Sequence, residues 1–220
     1  MITSDFHLNA DLSKCAIMLA ADAQWSPSPA PGVSRRMLDR IGGEVARATS
    51  IVRYEAGARF PEHKHERGEE FFVLDGVFSD PSGNFGAGSY VRNPPGTSHA
   101  PWTDHGCVLF VKLRQMRADD RALVRIDTNT HGWIDAATRS PSMTLYEGPE
   151  ERVALHFRRA GVALLLTNTR GLEILVLSGR LACDLGAFVR HDWIRLPPGE
   201  NFDAAASEDC LLWTKDGVPA

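Results

Sequence analysis

The sequence is poor in cysteine, carries no excess of basic charge, and has neither a long apolar run nor a segment with helical periodicity. Its four cysteines, Cys15, Cys107, Cys183 and Cys210, form no Cys-x-x-Cys pair. A chain of 220 residues needs no disulfide staple to hold a core, so a reducing cytoplasm is the simplest compartment. The first residues, MITSDFHLNADLSK, lack the cationic start and apolar run of a signal peptide. The longest early apolar stretch, around Ala16 to Ala21, is far too short to span a bilayer. A net charge of −4 without a basic cluster argues against nucleic acid and against anionic membrane as partners.

What is present reads as β-structure. Apolar residues make up 43% of the chain, enough for a real core. The 19 glycines and 13 prolines punctuate short runs rich in Val, Leu, Phe and Tyr. FFVLDGVF, SYVRNPPG, CVLFVKL, EILVLSGRL and DWIRLPPG each look like a strand meeting a turn. Many short strands at regular spacing predict an all-β sandwich or barrel.

An internal repeat organises the chain. Residues 67–112 align with 170–215 at a fixed offset of 103, without gaps, and share fifteen identities. Among them are Glu70 and Glu173, Gly76 and Gly179, Arg92 and Arg195, Cys107 and Cys210, Lys112 and Lys215, and two Pro-Pro-Gly turns at 94–96 and 197–199. Upstream, Trp25 and Trp133 are candidate counterparts. The boundary is expected in the polar stretch Gln115 to Ala122, giving domains 1–117 and 118–220. Four polar positions break the repeat: His63 meets Leu166, His65 meets Asn168, Glu69 meets Leu172 and His99 meets Phe202.

Those four positions carry the candidate chemistry. His63 and His65 are two apart and share one face of a strand. A turn at Arg67-Gly68 would bring Glu69 back toward them, and the turn at Pro94-Pro95-Gly96 would aim His99 at the same spot. Three imidazoles and a carboxylate suit Zn, Fe, Mn, Ni or Cu, and leave coordination positions open for a ligand. Glu69 and its neighbour Glu70 compete for the carboxylate role. Glu69 is lost with the histidines in the second copy and Glu70 is kept, so Glu70 is read as scaffold, through a surface ion pair or a turn hydrogen bond.

The spacing Gly57-x5-His63-x-His65-x3-Glu69-x6-Gly76 resembles the first cupin motif, and Gly88-x5-Pro94-x-Gly96-x2-His99 resembles the second; the asparagine often found four residues later is Thr103 here. The resemblance implies two tandem double-stranded β-helix (jelly-roll) barrels, the first holding one divalent metal at His63, His65, Glu69 and His99, the second without metal. Zinc is the first expectation, with Fe, Mn or Ni as alternatives. The wording GEEFFVLDGVFSD, GSYVRNPPGTSHAPW and GCVLFVKL is similar to the cupin domain of ChrR-type anti-sigma factors, over residues 25–115 strongly and 116–220 more weakly. That similarity implies a stress-response or small-molecule-sensing regulator. The His-x3-Cys-x2-Cys signature of the helical zinc domain that grips the sigma factor is absent, so sigma-factor binding by that route is not expected. The alternative is an iron-dependent cupin dioxygenase acting on a small diketone or phenolic substrate. No acid–base residue beyond the ligands stands out, and a homo-oligomer is compatible with the repeat.

Remaining candidates are read more plainly. His105 belongs to a polar loop, and Cys107 and Cys210 are small core residues. Phe71, Tyr90, Trp102 and Phe110 are core aromatics that could line a pocket at the metal. Thr167, Asn168 and Arg170 are polar remnants in the second copy, read as solvated strand-end residues.

Overall fold

Short runs of leucine, aromatic and β-branched residues between glycine and proline turns fold as strands throughout the computed structural model, which describes residues 6–134, 137 and 140–217. The described residues contain no helix, hence none long and apolar enough to cross a membrane. The architecture is all-β, as expected.

The chain divides into two compact units. One combines the chain up to Ala10 with Gln24–Thr130, and the other combines Asp11–Ala23 with the chain from His131. In the first unit the main path of the larger sheet runs His7–Leu8, Val33–Ile41, Arg47–Tyr54, Cys107–Leu113, Glu69–Asp80, Ser89–Asn93, Val124–Asp127. A second, small sheet pairs His63–Lys64 with Ser98–His99. The second unit has a six-stranded sheet, Ser142–Glu147, Arg152–Arg158, Cys210–Asp216, Leu172–Ser178, Trp193–Leu196, Ala16–Met18. Opposite elements form a four-stranded sheet, Ala163–Leu166, Phe202–Ala206, Arg180–Cys183, Gly186–Val189. Every strand pair is antiparallel, and each unit is a small jelly roll. The edge strands Val124–Asp127 and Ala16–Met18 lie outside the repeated segments.

The repeat has a physical basis in both units. Gly76 and Gly179 adopt φ of +72° and +77° where the strand register slips, and a Cβ there would come within 2.2 Å of the Gly106 oxygen or 2.1 Å of the Asp209 oxygen. The inner faces pack Phe71, Val73, Val91, Leu109 and Val111 in one unit and Ile174, Val176, Ile194 and Leu212 in the other. Cys107 and Cys210 sit in these cores as read from the sequence. On the outer face, Lys112 lies opposite Glu70 and Glu70 opposite Arg92. Lys215, Glu173 and Arg195 repeat the row. All six are buried; each row sets two cations about one carboxylate, and Asp120 on Arg92 and Glu151 on Lys215 add further acids.

Candidate metal centre

The four sequence-predicted ligand positions come together at one end of the first unit. His63 lies directly opposite His99 in the small sheet. His65 follows the same strand, and the turn at Glu66 and Arg67 leads through Gly68, at φ +77°, into the long strand that opens with Glu69. The ligand atoms of His63, His65, Glu69 and His99 all lie within 4.8 Å of one another. Oε2 of Glu69 is 3.4 Å from Nε2 of His65 and 3.4 Å from Nε2 of His99. His65, Glu69 and His99 are only 6%, 8% and 7% exposed, and His63 is half-buried.

The hydrogen bonds behind the rings decide what the front atoms can do. His63 Nδ1 lies 3.0 Å from the Pro61 carbonyl oxygen, which can only accept, so Nδ1 carries the proton. Thr97 gives its one hydroxyl proton to the Pro94 carbonyl at 2.7 Å, so at 3.0 Å from His65 Nδ1 it must accept. His99 Nδ1 donates to Asp80 Oδ2 at 3.0 Å. Burial pushes the Asp80 carboxyl up, but hydrogen bonds from His99 and Ser82 outweigh it and bring it down to about 2, so the acceptor is ionised. Each ring thus spends its proton at Nδ1 and presents a bare Nε2 to the centre. Nε2 of His65 and of His99 is buried without a hydrogen-bond partner. Burial also pulls the His65 imidazole below its ordinary value, against the attraction of Glu69, which favours the neutral ligand form. Two orphaned lone pairs facing a carboxylate oxygen are costly alone and fit a divalent cation.

Glu69 is itself held in place. Asn93 Nδ2 donates to its Oε2 at 3.1 Å, and Arg125 Nη2 donates to Asn93 Oδ1 at 2.7 Å. Sequence reasoning missed Asp80, Thr97, Asn93 and Arg125. Asn93 carried a signal, since it meets Leu196 in the repeat, whereas Arg125 lies beyond the repeated segment. Glu70 points away from the centre. It is 2% exposed and accepts the Tyr90 hydroxyl at 2.6 Å, which corrects the surface reading: alternation along the strand turns it into the buried outer row.

A cavity of about 500 Å³ opens onto His63, His65, Glu69 and His99, walled by Val33, Val52, Leu109 and Val111. None of Phe71, Tyr90, Trp102 and Phe110 lines it; Tyr54 and Phe60 do. Phe71 packs in the core, while Tyr90 turns outward to Glu70. Burial, reinforced by the Glu69 carboxylate, pushes the Tyr54 hydroxyl up, so it stays protonated and able to donate. His105 is an exposed loop residue. In the second unit Asn168 is buried, not solvated: its amide donates to the Pro197 and Glu200 carbonyls at 2.7 and 3.0 Å and its oxygen accepts the Gly171 N–H. Its neighbours Thr167 and Arg170 are exposed.

Residues 13–117 match the family described as the ChrR Cupin-like domain. That match spans a little under half of the chain. A provisionally assigned dioxygenase from Nostoc punctiforme superposes with a TM-score of 0.77 at 14% identity, covering 98% of this chain and 88% of that one. A bacterial pirin from Escherichia coli in complex with nickel(II) gives 0.71 at 13% identity, covering 94% and 100%. An oxalate decarboxylase from Lactobacillus farciminis gives 0.66 at 11%, covering 98% and 88%. At such identities the likeness is one of fold alone. No curated protein matches it by sequence.

Proposed function

We propose that the first unit binds one divalent metal ion through Nε2 of His63, His65 and His99 and the carboxylate of Glu69, and that the chain uses this centre to sense a small molecule. The observation that carries the reading is the pair of buried, partnerless Nε2 atoms aimed at Glu69 Oε2. Zinc is the first candidate, with Fe, Mn and Ni as alternatives, since imidazole-rich sites accept several ions. A divalent ion there supplies a Lewis acid able to take an oxygen ligand from a small molecule. The protein's part is to hold the three imidazoles in one tautomer, through Pro61, Thr97 and Asp80, and to fix Glu69 through Asn93 and Arg125. The match of residues 13–117 to a ChrR Cupin-like domain supports the regulatory reading.

The second reading is an iron-dependent dioxygenase acting on a small diketone or phenol. It is favoured by the cavity over the centre and by Tyr54, a protonated hydroxyl on its wall. Metal analysis of protein purified without added metal, followed by an oxygen-uptake screen, separates the two. Stoichiometric zinc without turnover supports the sensor; iron with oxygen consumption supports the enzyme. Protein that retains no metal when metal is supplied overturns both.

A further inference from the structure

The cavity that opens on the metal centre also contains a buried cation without a carboxylate partner. Arg40 is 2% exposed and lines this cavity. A register slip between Met37 and Asp39 breaks the strand's alternation and gives Arg40 its place on the cavity wall with Val33 and Arg35. Its Nε donates to the carbonyls of Gly42 and Gly43 at 3.2 and 3.0 Å, and its Nη2 to those of Gly43 and Glu44. These are neutral acceptors. Glu44, the acid whose charge acts on Arg40, is forked by Arg35 Nη2 at 3.1 and 3.0 Å. No carboxylate pairs with Arg40 among the described residues, and its Nη1 makes no hydrogen bond there. Glu66, the other acid on the wall beside the ligand Glu69, is paired with Arg114 at 2.7 Å.

The strand registers relate Arg40 to the centre. Arg40 lies opposite Ala48, Ala48 opposite Leu113, and Leu113 opposite Glu69. The two ends of that row are three strand spacings apart, about 14 Å along the sheet. Both ends line the same cavity of about 500 Å³, which is bounded by the aliphatic wall of Val52, Leu109 and Val111.

We propose that the cavity takes a compact organic anion whose carboxylate is bound by Arg40 while its other end meets the metal centre. This assignment of ligand class rests on the metal-binding reading above. The two N–H groups of Arg40 Nη1 are left to donate to a carboxylate, and a charge-assisted bond in a walled cavity is stronger than its neutral counterpart.

The test compares 3,4-dihydroxybenzoate with 3,4-dihydroxybenzamide, which share a shape and a metal-chelating end and differ in charge. Binding of both is measured by calorimetry to the metal-loaded, full-length protein. Benzoate and benzamide are compared by NMR on the metal-free protein. The expected result is an acid preference of about tenfold or more in the loaded wild type. A preference of the same sign is expected without metal, so absence of metal binding sinks the metal reading without silencing this test. Arg40→Met should bring acid and amide within about twofold at unchanged metal content. Because Arg40 also clasps the turn at Gly42 to Glu44, Arg40→Lys serves as the second variant: it keeps the charge, loses the fixed Nη1 donors and should show an intermediate preference. Equal binding of acid and amide by the wild type, or a full acid preference in a folded Arg40 variant, overturns the proposal.

Discussion

In the first unit His63 faces His99 across a short antiparallel pair; in the second, Leu166 faces Phe202 across the corresponding pair. Glu69 lies opposite Asn93, and in the second unit Leu172 lies opposite Leu196. Asp80, which clamps His99, corresponds to Cys183. The second unit joins Leu172, Leu196 and Phe202 in one apolar cluster, with Leu166 and Cys183 packed against it. The backbone is common and the polar groups change as a set, supporting residues together with ligands. A buried imidazole without its acceptor, or a buried carboxylate without its donor, costs more than a methyl group, so partial replacement is the least favourable arrangement.

The largest expected effect comes from forcing the second unit to imitate the first. Leu166→His, Asn168→His, Leu172→Glu and Phe202→His together place polar groups where Cys183 and Leu196 give them no partner. The cost should be on the order of 5 kcal/mol or more, enough to unfold that unit. Loss of the cooperative denaturation transition would register it, and a folded variant that gains a second tight metal would show that the supporting residues are dispensable.

Next come the adjacent carboxylates. Glu69→Gln should lower metal retention clearly while leaving the fold intact. Glu70→Gln should keep the metal but lose about 3 kcal/mol in urea denaturation, because buried Lys112 and Arg92 lose the carboxylate between them. The reverse ranking in metal content would move the ligand assignment to Glu70.

Smaller still is Asp80→Asn, which leaves four ligands but weakens the hold on the His99 ring. Metal affinity should fall about 10- to 100-fold in a chelator competition, with the unfolding midpoint of metal-free protein little changed. Affinity equal to the wild type would remove Asp80 from the account.

The smallest effect concerns His156, which lies opposite Leu212 where the first unit sets Val52 opposite Leu109. Burial, with help from Arg158 and Arg152, drives its imidazole down to about 4. A group with a depressed folded value stays neutral in the folded chain, so stability is whole above the ordinary value near 6.5 and is lost as pH falls from there toward 4. By pH 5.5 the loss should be about 1 kcal/mol. His156→Met should flatten that part of the stability profile; an unchanged slope would assign the acid sensitivity elsewhere.

Much of this was legible in the sequence because turns and ligands have local signatures. Gly76 and Gly179 stood out as identities, and a close backbone approach explains both. The four ligand positions stood out as the places where the repeat fails. Glu70 was misread because its cover is tertiary: nothing in GEEFF tells that the outward face of this strand is buried with Lys112 and Arg92. Asn168 was misread for the same reason, its acceptors lying some thirty residues away in the Pro-Pro-Gly turn. Arg125 was illegible because its edge strand lies outside the repeat, and Arg40 because its orientation follows from a register slip in the strand.

The central claim is that His63, His65, Glu69 and His99 hold metal and that their counterparts cannot. It is tested most directly by elemental analysis of the wild type beside a variant given the second unit's residues as a set, His63→Leu, His65→Asn, Glu69→Leu and His99→Phe together with Asp80→Cys and Asn93→Leu. The account predicts about one metal per chain in the wild type and none in the variant, whose β-structure stays intact by circular dichroism because ligands and supporting residues change together. A folded variant that retains the wild-type metal content, or a wild type that holds two tightly bound ions, would contradict it.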